Sequence, residues 1–119
     1  MPTDKPTYFV YIMSNNAGIT YIGVTNDIFR RVEEHKAGKL PGFTKRNRTH
    51  KLVYCEEHRY VHDAIYREKQ IKTWRKEKKR DLITFLNPKW KDLSAEWLDE
   101  ASHHSPTPRQ EEFLVGLRR

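Results

Sequence analysis

The stretch Tyr8–His35, YFVYIMSNNAGITYIGVTNDIFRRVEEH, decides the fold. It opens on an uninterrupted aromatic and β-branched run from Tyr8 to Met13. Asn15-Asn16-Ala17-Gly18 is turn chemistry, and Thr20 to Thr25 returns to strand composition, so the segment reads as a hairpin. Thr25, Asn26 and Asp27 then each offer a side-chain oxygen that can cap a helix, and Ile28, Val32 and His35 recur at helical spacing. At about 100° per residue, Arg31 and His35 flank Ile28 and Val32, whereas Arg30 points nearly the opposite way. A guanidinium on the inward side of a helix is costly unless an anion meets it, which makes Arg31 a site candidate. If the hairpin pairs positions whose numbers sum to an even value, as when Ser14 opposes Thr20, Tyr11 and Tyr21 share one sheet face.

Length and composition limit what can surround this unit. The 119 residues make one domain with one modest core, and a hydrophobic fraction of 36% against 33% charged residues leaves a large solvated surface. Mean hydropathy is -0.93. The formal net charge of +7 favours a polyanionic partner such as nucleic acid or an anionic membrane surface. One cysteine, Cys55, forbids an internal disulfide, and no Cys/His spacing resembles a zinc site. The apolar run after the polar start MPTDKPT is too short for a signal-peptide core or a membrane span, so a cytoplasmic protein without a membrane partner is expected.

Past the first helix, residues 38–48 form a loop rich in glycine, proline and cations, and Lys39, Lys45, Arg46 and Arg48 in it are candidate nucleic-acid contacts. The plainer reading is a solvated loop. Lys51 to His58 resembles a third strand, with Leu52, Tyr54 and Glu56 on one side and Val53 and Cys55 on the other. Helix signals resume at Val61, with Asp63 as the expected cap and Ala64, Glu68 and Ile71 on one face; Glu68 is again a charge on an apolar stripe. Two helices with a kink near Trp74 are expected, the second ending at Asn87-Pro88. The basic residues around that kink, Lys72 and Arg75 among them, read either as an exposed face or as phosphate contacts. Gly23 would let backbone or substrate approach the sheet closely. Trp90 and Leu93 should fold back on the core.

The fold class is therefore α+β, a small three-stranded antiparallel sheet flanked by about three helices. Residues 1–6 read as an extension, 7–98 as the domain and 99–119 as a flexible tail.

Phe9-Val10-Tyr11 followed by Tyr21-Ile22-Gly23 resembles the paired signature of the GIY-YIG endonucleases, with Phe9 and Val10 standing where the name residues are glycine and isoleucine. The resemblance runs from about Tyr8 to Leu93. The stretches GFTKR, LVYCE and REKQIKTW look like the small stand-alone bacterial members. It implies a catalytic set of Tyr11, Tyr21, Arg31, His35, Glu68 and Asn87, with Glu68 binding one Mg²⁺ or Mn²⁺ ion. It also implies a nucleic-acid substrate, most simply DNA, and a metal-dependent phosphodiester hydrolase, an endonuclease that reads DNA structure and is linked to repair or recombination.

The chemistry of the residues agrees with that set. A lone carboxylate suits Mg²⁺, which keeps several waters and lets phosphate complete its shell. The planar fork of Arg31 suits a scissile phosphate. Tyr11 would take the proton from the attacking water, and as a poor base it needs a cation beside it and Tyr21 or His35 to share its proton. Two other classes remain at this stage: a nucleic-acid-binding module without activity, and a docking partner of a larger nuclease using Phe113-Leu114-Val115 in the tail.

Overall fold

The computed structural model describes residues 7–40, 42, 46–95 and 97. Its element order is β1 (Tyr8–Ser14), β2 (Thr20–Thr25), α1 (Ile28–Lys36), β3 (Lys51–His58), α2 (Val61–Lys72) and α3 (Lys76–Leu86). The strands form one antiparallel sheet in the order β2-β1-β3. The central place of β1 explains its composition. A strand covered on both faces has no solvent side, so its apolar run is continuous instead of alternating.

One apolar layer joins Phe9, Tyr11 and Met13 to Ile28 and Val32 of α1, with Trp97 closing it. The opposite layer joins Val10, Ile12 and Ile22 to Ala64 and Ile71 of α2 and Ile83 of α3. Leu93 packs on the first layer and Trp90 on the second, both folded back as expected.

The hairpin turn is built by Asn15, whose Oδ1 accepts from Ala17 N at 2.9 Å and Ile19 N at 3.0 Å while its amide donates to Asn47 O at 2.8 Å. Gly18 takes φ +83°, the left-handed region that glycine enters without a side-chain clash. The register pairs Ser14 with Thr20 and Tyr11 with Gly23, so Tyr11 and Tyr21 lie on one sheet face. Asp27 caps α1, accepting from Arg30 N at 3.1 Å.

Three expectations are corrected. A bulge between Ile12 and Met13 sets Ile12 opposite Tyr54 but Met13 opposite Leu52, leaving Val53 as the extra residue. Leu52 therefore joins Cys55 in the first layer, and Val53 joins Tyr54 in the second, which strict alternation had reversed. The cap of α2 is Tyr60, without a side-chain capping bond, and Asp63 sits inside the first turn. The helices α2 and α3 are separated by a break at Thr73–Arg75 instead of a kink, with Trp74 held between Arg67, 5.2 Å from its ring centroid, and Lys78, at 4.2 Å.

Candidate active site

Tyr11 and Tyr21 arise from neighbouring strands and His35 from the buried stripe of α1, and the three rings converge. Ring centroids are 6.2 Å apart for Tyr11 and Tyr21, 5.5 Å for Tyr11 and His35, and 5.2 Å for Tyr21 and His35. Tyr11 Oη lies 3.0 Å from His35 Nε2 in a buried hydrogen bond. His35 Nδ1 is buried without a hydrogen-bond partner among the described residues.

Burial, and then the Arg31 charge beside it, pushes the His35 imidazole down to about 4. The ring is neutral at physiological pH and keeps a lone pair for a proton. Burial raises the Tyr11 phenol well above its ordinary value, and the neighbouring Tyr21 adds to this, while Arg31 acts in the opposite sense. Burial opposes the charge of Arg31, but Tyr11 and Glu34 more than offset it.

Arg31 Nε stands 3.1 Å from Glu34 Oε1, one helical turn on. The contact is an ion pair without a well-directed hydrogen bond, because the same Nε has no partner among the described residues that meets hydrogen-bond geometry. Glu34 was not singled out from the sequence, although its i,i+3 spacing from Arg31 is the signal for such a pair.

Gly23 serves the site in an unexpected way. What approaches it is the ring of Tyr11 itself, directly across the strand pair, and a Cβ on Gly23 would stand 2.5 Å from Tyr11 Oη and 2.6 Å from its Cζ. The missing side chain makes the space in which the phenol lies.

A family model described as the GIY-YIG catalytic domain matches residues 7–81. The chain belongs to the GIY-YIG family. UPF0213 proteins of Staphylococcus aureus strains Mu50 and N315 are each 39% identical to it over 77 residues, covering 65% of this chain and 94% of theirs. The solution NMR structure of a UPF0213 protein from Bacillus halodurans aligns with a TM-score of 0.49 at 24% identity, over 75% of this chain and 96% of that one.

In this GIY-YIG domain, Tyr11, Tyr21, Arg31 and His35 come together, whereas the other two members of the expected catalytic set have separate surroundings. The half-buried Glu68 lies on α2, whose buried residues pack on the sheet layer opposite Tyr11, and its Oε2 pairs with Lys72 Nζ at 2.6 Å. Its carboxylate is a hard oxygen donor of the type Mg²⁺ accepts, so the donor chemistry fits that ion, with Lys72 as the competing cation. Asn87 is the C-cap of α3 and is buried. Its amide donates to Val53 O at 3.1 Å and Lys91 O at 3.0 Å, and its Oδ1 accepts from Lys91 N at 3.1 Å. These bonds tie α3 to β3 through the Asn87 side chain.

Of the candidate nucleic-acid contacts, Lys39, Arg46, Arg48, Lys72 and Arg75 are exposed, and Lys45 lies outside the described residues, as do Phe113-Leu114-Val115 and the proposed tail. No helix among the described residues is long and apolar enough to cross a membrane.

A buried carboxylate on the other layer escaped the sequence reading. Glu56 accepts from Tyr54 Oη, from Arg67 Nε at 2.9 Å, and pairs with His58 Nε2 at 2.6 Å. Burial alone would raise its pKa, but these bonds hold it below the usual value. The alternation that placed Tyr54 and Glu56 on one side was the available signal.

Proposed function

We propose that the protein is a metal-dependent endonuclease that hydrolyses phosphodiester bonds in DNA. The observation that carries this reading is the buried bond between Tyr11 Oη and His35 Nε2 with the Arg31 guanidinium beside it. A pure binder gains nothing from a buried phenol–imidazole pair, whereas a hydrolase needs a route for the proton of the attacking water.

Tyr11 relays the proton. Its hydroxyl oxygen receives the proton of the attacking water as its own proton passes to His35 Nε2, so Tyr11 never has to exist as a free phenolate, which its burial and Tyr21 oppose. His35 can accept because Arg31 and burial keep it neutral. Arg31 meets the scissile phosphate with its planar fork, and the arriving negative charge offsets the field that depresses His35, making the imidazole a better acceptor once substrate is bound. Glu68 would hold one Mg²⁺ or Mn²⁺ ion. When bound, that ion supplies neutralising charge to the phosphoryl and leaving oxygens. Lys39, Lys45, Arg46, Arg48, Lys72 and Arg75 would hold the backbone by charge.

The test is incubation with single-stranded, duplex, flap and branched DNAs, and RNA, in Mg²⁺, Mn²⁺ or chelator. Cutting of a DNA with metal and none with chelator is expected. Wild-type protein that cuts no member of the panel under any condition overturns the reading.

A further inference from the structure

The β1–β2 turn and the beginning of α3 face each other across a cavity of about 330 Å³ lined by Gly18, Ile19, Thr20, Lys76, Lys79 and Arg80. Three cations and no carboxylate form its wall. By helical periodicity Lys76, Lys79 and Arg80 surround the direction of Ile83, the buried residue of α3, while Glu77 and Asp81 point away with the exposed Phe85. The three cations make no ion pair among the described residues, whereas Lys36, Arg67 and Lys72 each hold a carboxylate.

Like charges within one helical turn repel, and here three gather beside the Ile83 stripe, Lys76 and Arg80 exposed and Lys79 half-buried. The turn closes over them. A Cβ on Gly18 would stand 3.2 Å from an Arg80 terminal nitrogen. Arg75 caps α3 without a side-chain bond, so the positive end of the helix adds to the same field. Ile19, 39% exposed, supplies an apolar rim of the kind a sugar can lie against.

The position of the cavity identifies its occupant. Thr20 lines it, and the next residue, Tyr21, belongs to the phenol–imidazole group, both on the edge strand β2. A polyanion laid over the β2 edge reaches both places, and a free phosphate has no need of that continuity.

We infer that this cavity is a second phosphate seat, which holds a nucleic-acid backbone phosphate flanking the one that Arg31 faces. The inference rests on the nucleic-acid reading above and adds Lys76, Lys79 and Arg80 as the residues that hold the flank of the strand.

The experiment measures duplex DNA affinity without metal across a salt series, for wild type and for Lys76→Gln/Lys79→Gln/Arg80→Gln, with thermal melting to confirm folding. The log–log salt slope should flatten by about one unit in the triple variant, because the seat holds one phosphate. A second variant guards against a mere change in net charge or a folding defect. Gly18→Asp and Gly18→Asn share the same strain at φ +83°, so they differ by the carboxylate that the first sets beside Arg80, which should weaken binding about tenfold at low salt relative to Gly18→Asn. An unchanged slope together with equal affinities of Gly18→Asp and Gly18→Asn overturns this inference and leaves the nuclease reading standing. Wild-type protein that retains no nucleic acid at low salt overturns both. Stabilisation by inorganic phosphate that the triple variant loses, with the DNA slope unchanged, assigns the cavity to a free anion and also overturns the inference.

Discussion

Tyr11 Oη and His35 Nε2, 3.0 Å apart, join the central strand to α1 through a buried hydrogen bond. Because His35 is depressed to about 4 when folded and returns to about 6.5 when unfolded, the unfolded chain binds the extra proton between those values. The stability contributed by keeping the ring neutral is fully present above about pH 6.5 and is lost as pH falls toward 4. Wild type should therefore lose about 2 to 3 kcal/mol more than His35→Gln between neutral pH and about pH 4.5. Urea unfolding of both proteins at the two pH values measures it, and parallel losses would show that the imidazole does not carry the effect.

Tyr11→Phe removes only the hydroxyl. Stability should fall by about 1 to 2 kcal/mol, since His35 loses its buried partner, and the protein stays folded. Turnover should fall by about a hundredfold or more, the scale of a lost proton-transfer group. Tyr21→Phe, which keeps the Tyr11–His35 bond, should cost much less. Single-turnover cutting by each variant decides the order, and equal losses would move the relay away from Tyr11.

Gly23→Ala tests whether the missing side chain makes the bed for Tyr11. Its Cβ would fall 2.5 Å from the phenol oxygen, so the ring has to move. Overpacking of this kind costs about 1 to 3 kcal/mol, partly offset by the lower unfolded-chain entropy of alanine. Activity should drop at least tenfold in the wild-type background, yet little further in Tyr11→Phe, where the group being displaced already lacks its oxygen. Additive losses in the double variant would mean that Gly23 acts elsewhere.

The hairpin, its register and the buried stripe of α1 were legible because period two and period 3.6 each leave a pattern in the residues themselves. Arg31 and His35 were found that way, Tyr11 and Tyr21 through the resemblance to the GIY-YIG signature, and Asp27 as one of three capping candidates with Thr25 and Asn26. The sides taken by Leu52 and Val53 were not, because a bulge is a property of the pairing with β1 and leaves no mark on the composition of β3. Asn87 matched by order along the chain, but order does not say that its amide is consumed by the backbone of Val53 and Lys91. The cavity at Lys76, Lys79 and Arg80 needed the turn of residues 15–19 brought against α3, a contact between segments some sixty residues apart.

The last prediction concerns Glu68 and Lys72. Their ion pair, 2.6 Å, is half in solvent, with the Lys72 side chain 51% exposed, so it contributes at most about 1 kcal/mol. Glu68→Gln keeps the shape of the side chain and removes the charge that a hard cation requires. Cutting should then collapse while melting shifts little, and metal-free DNA affinity should hold or rise slightly, because a negative charge has gone. Arg31 is paired with Glu34 and not with Glu68, so loss of the carboxylate leaves no buried guanidinium stranded. Lys72→Ala gives the complementary reading: with its competitor removed, the Glu68 carboxylate should reach half-maximal cutting at a lower Mg²⁺ concentration. A folded Glu68→Gln protein that cuts at the wild-type rate, or a Lys72→Ala protein that needs more metal with Glu68 intact, would refute the role of this carboxylate as the metal's ligand.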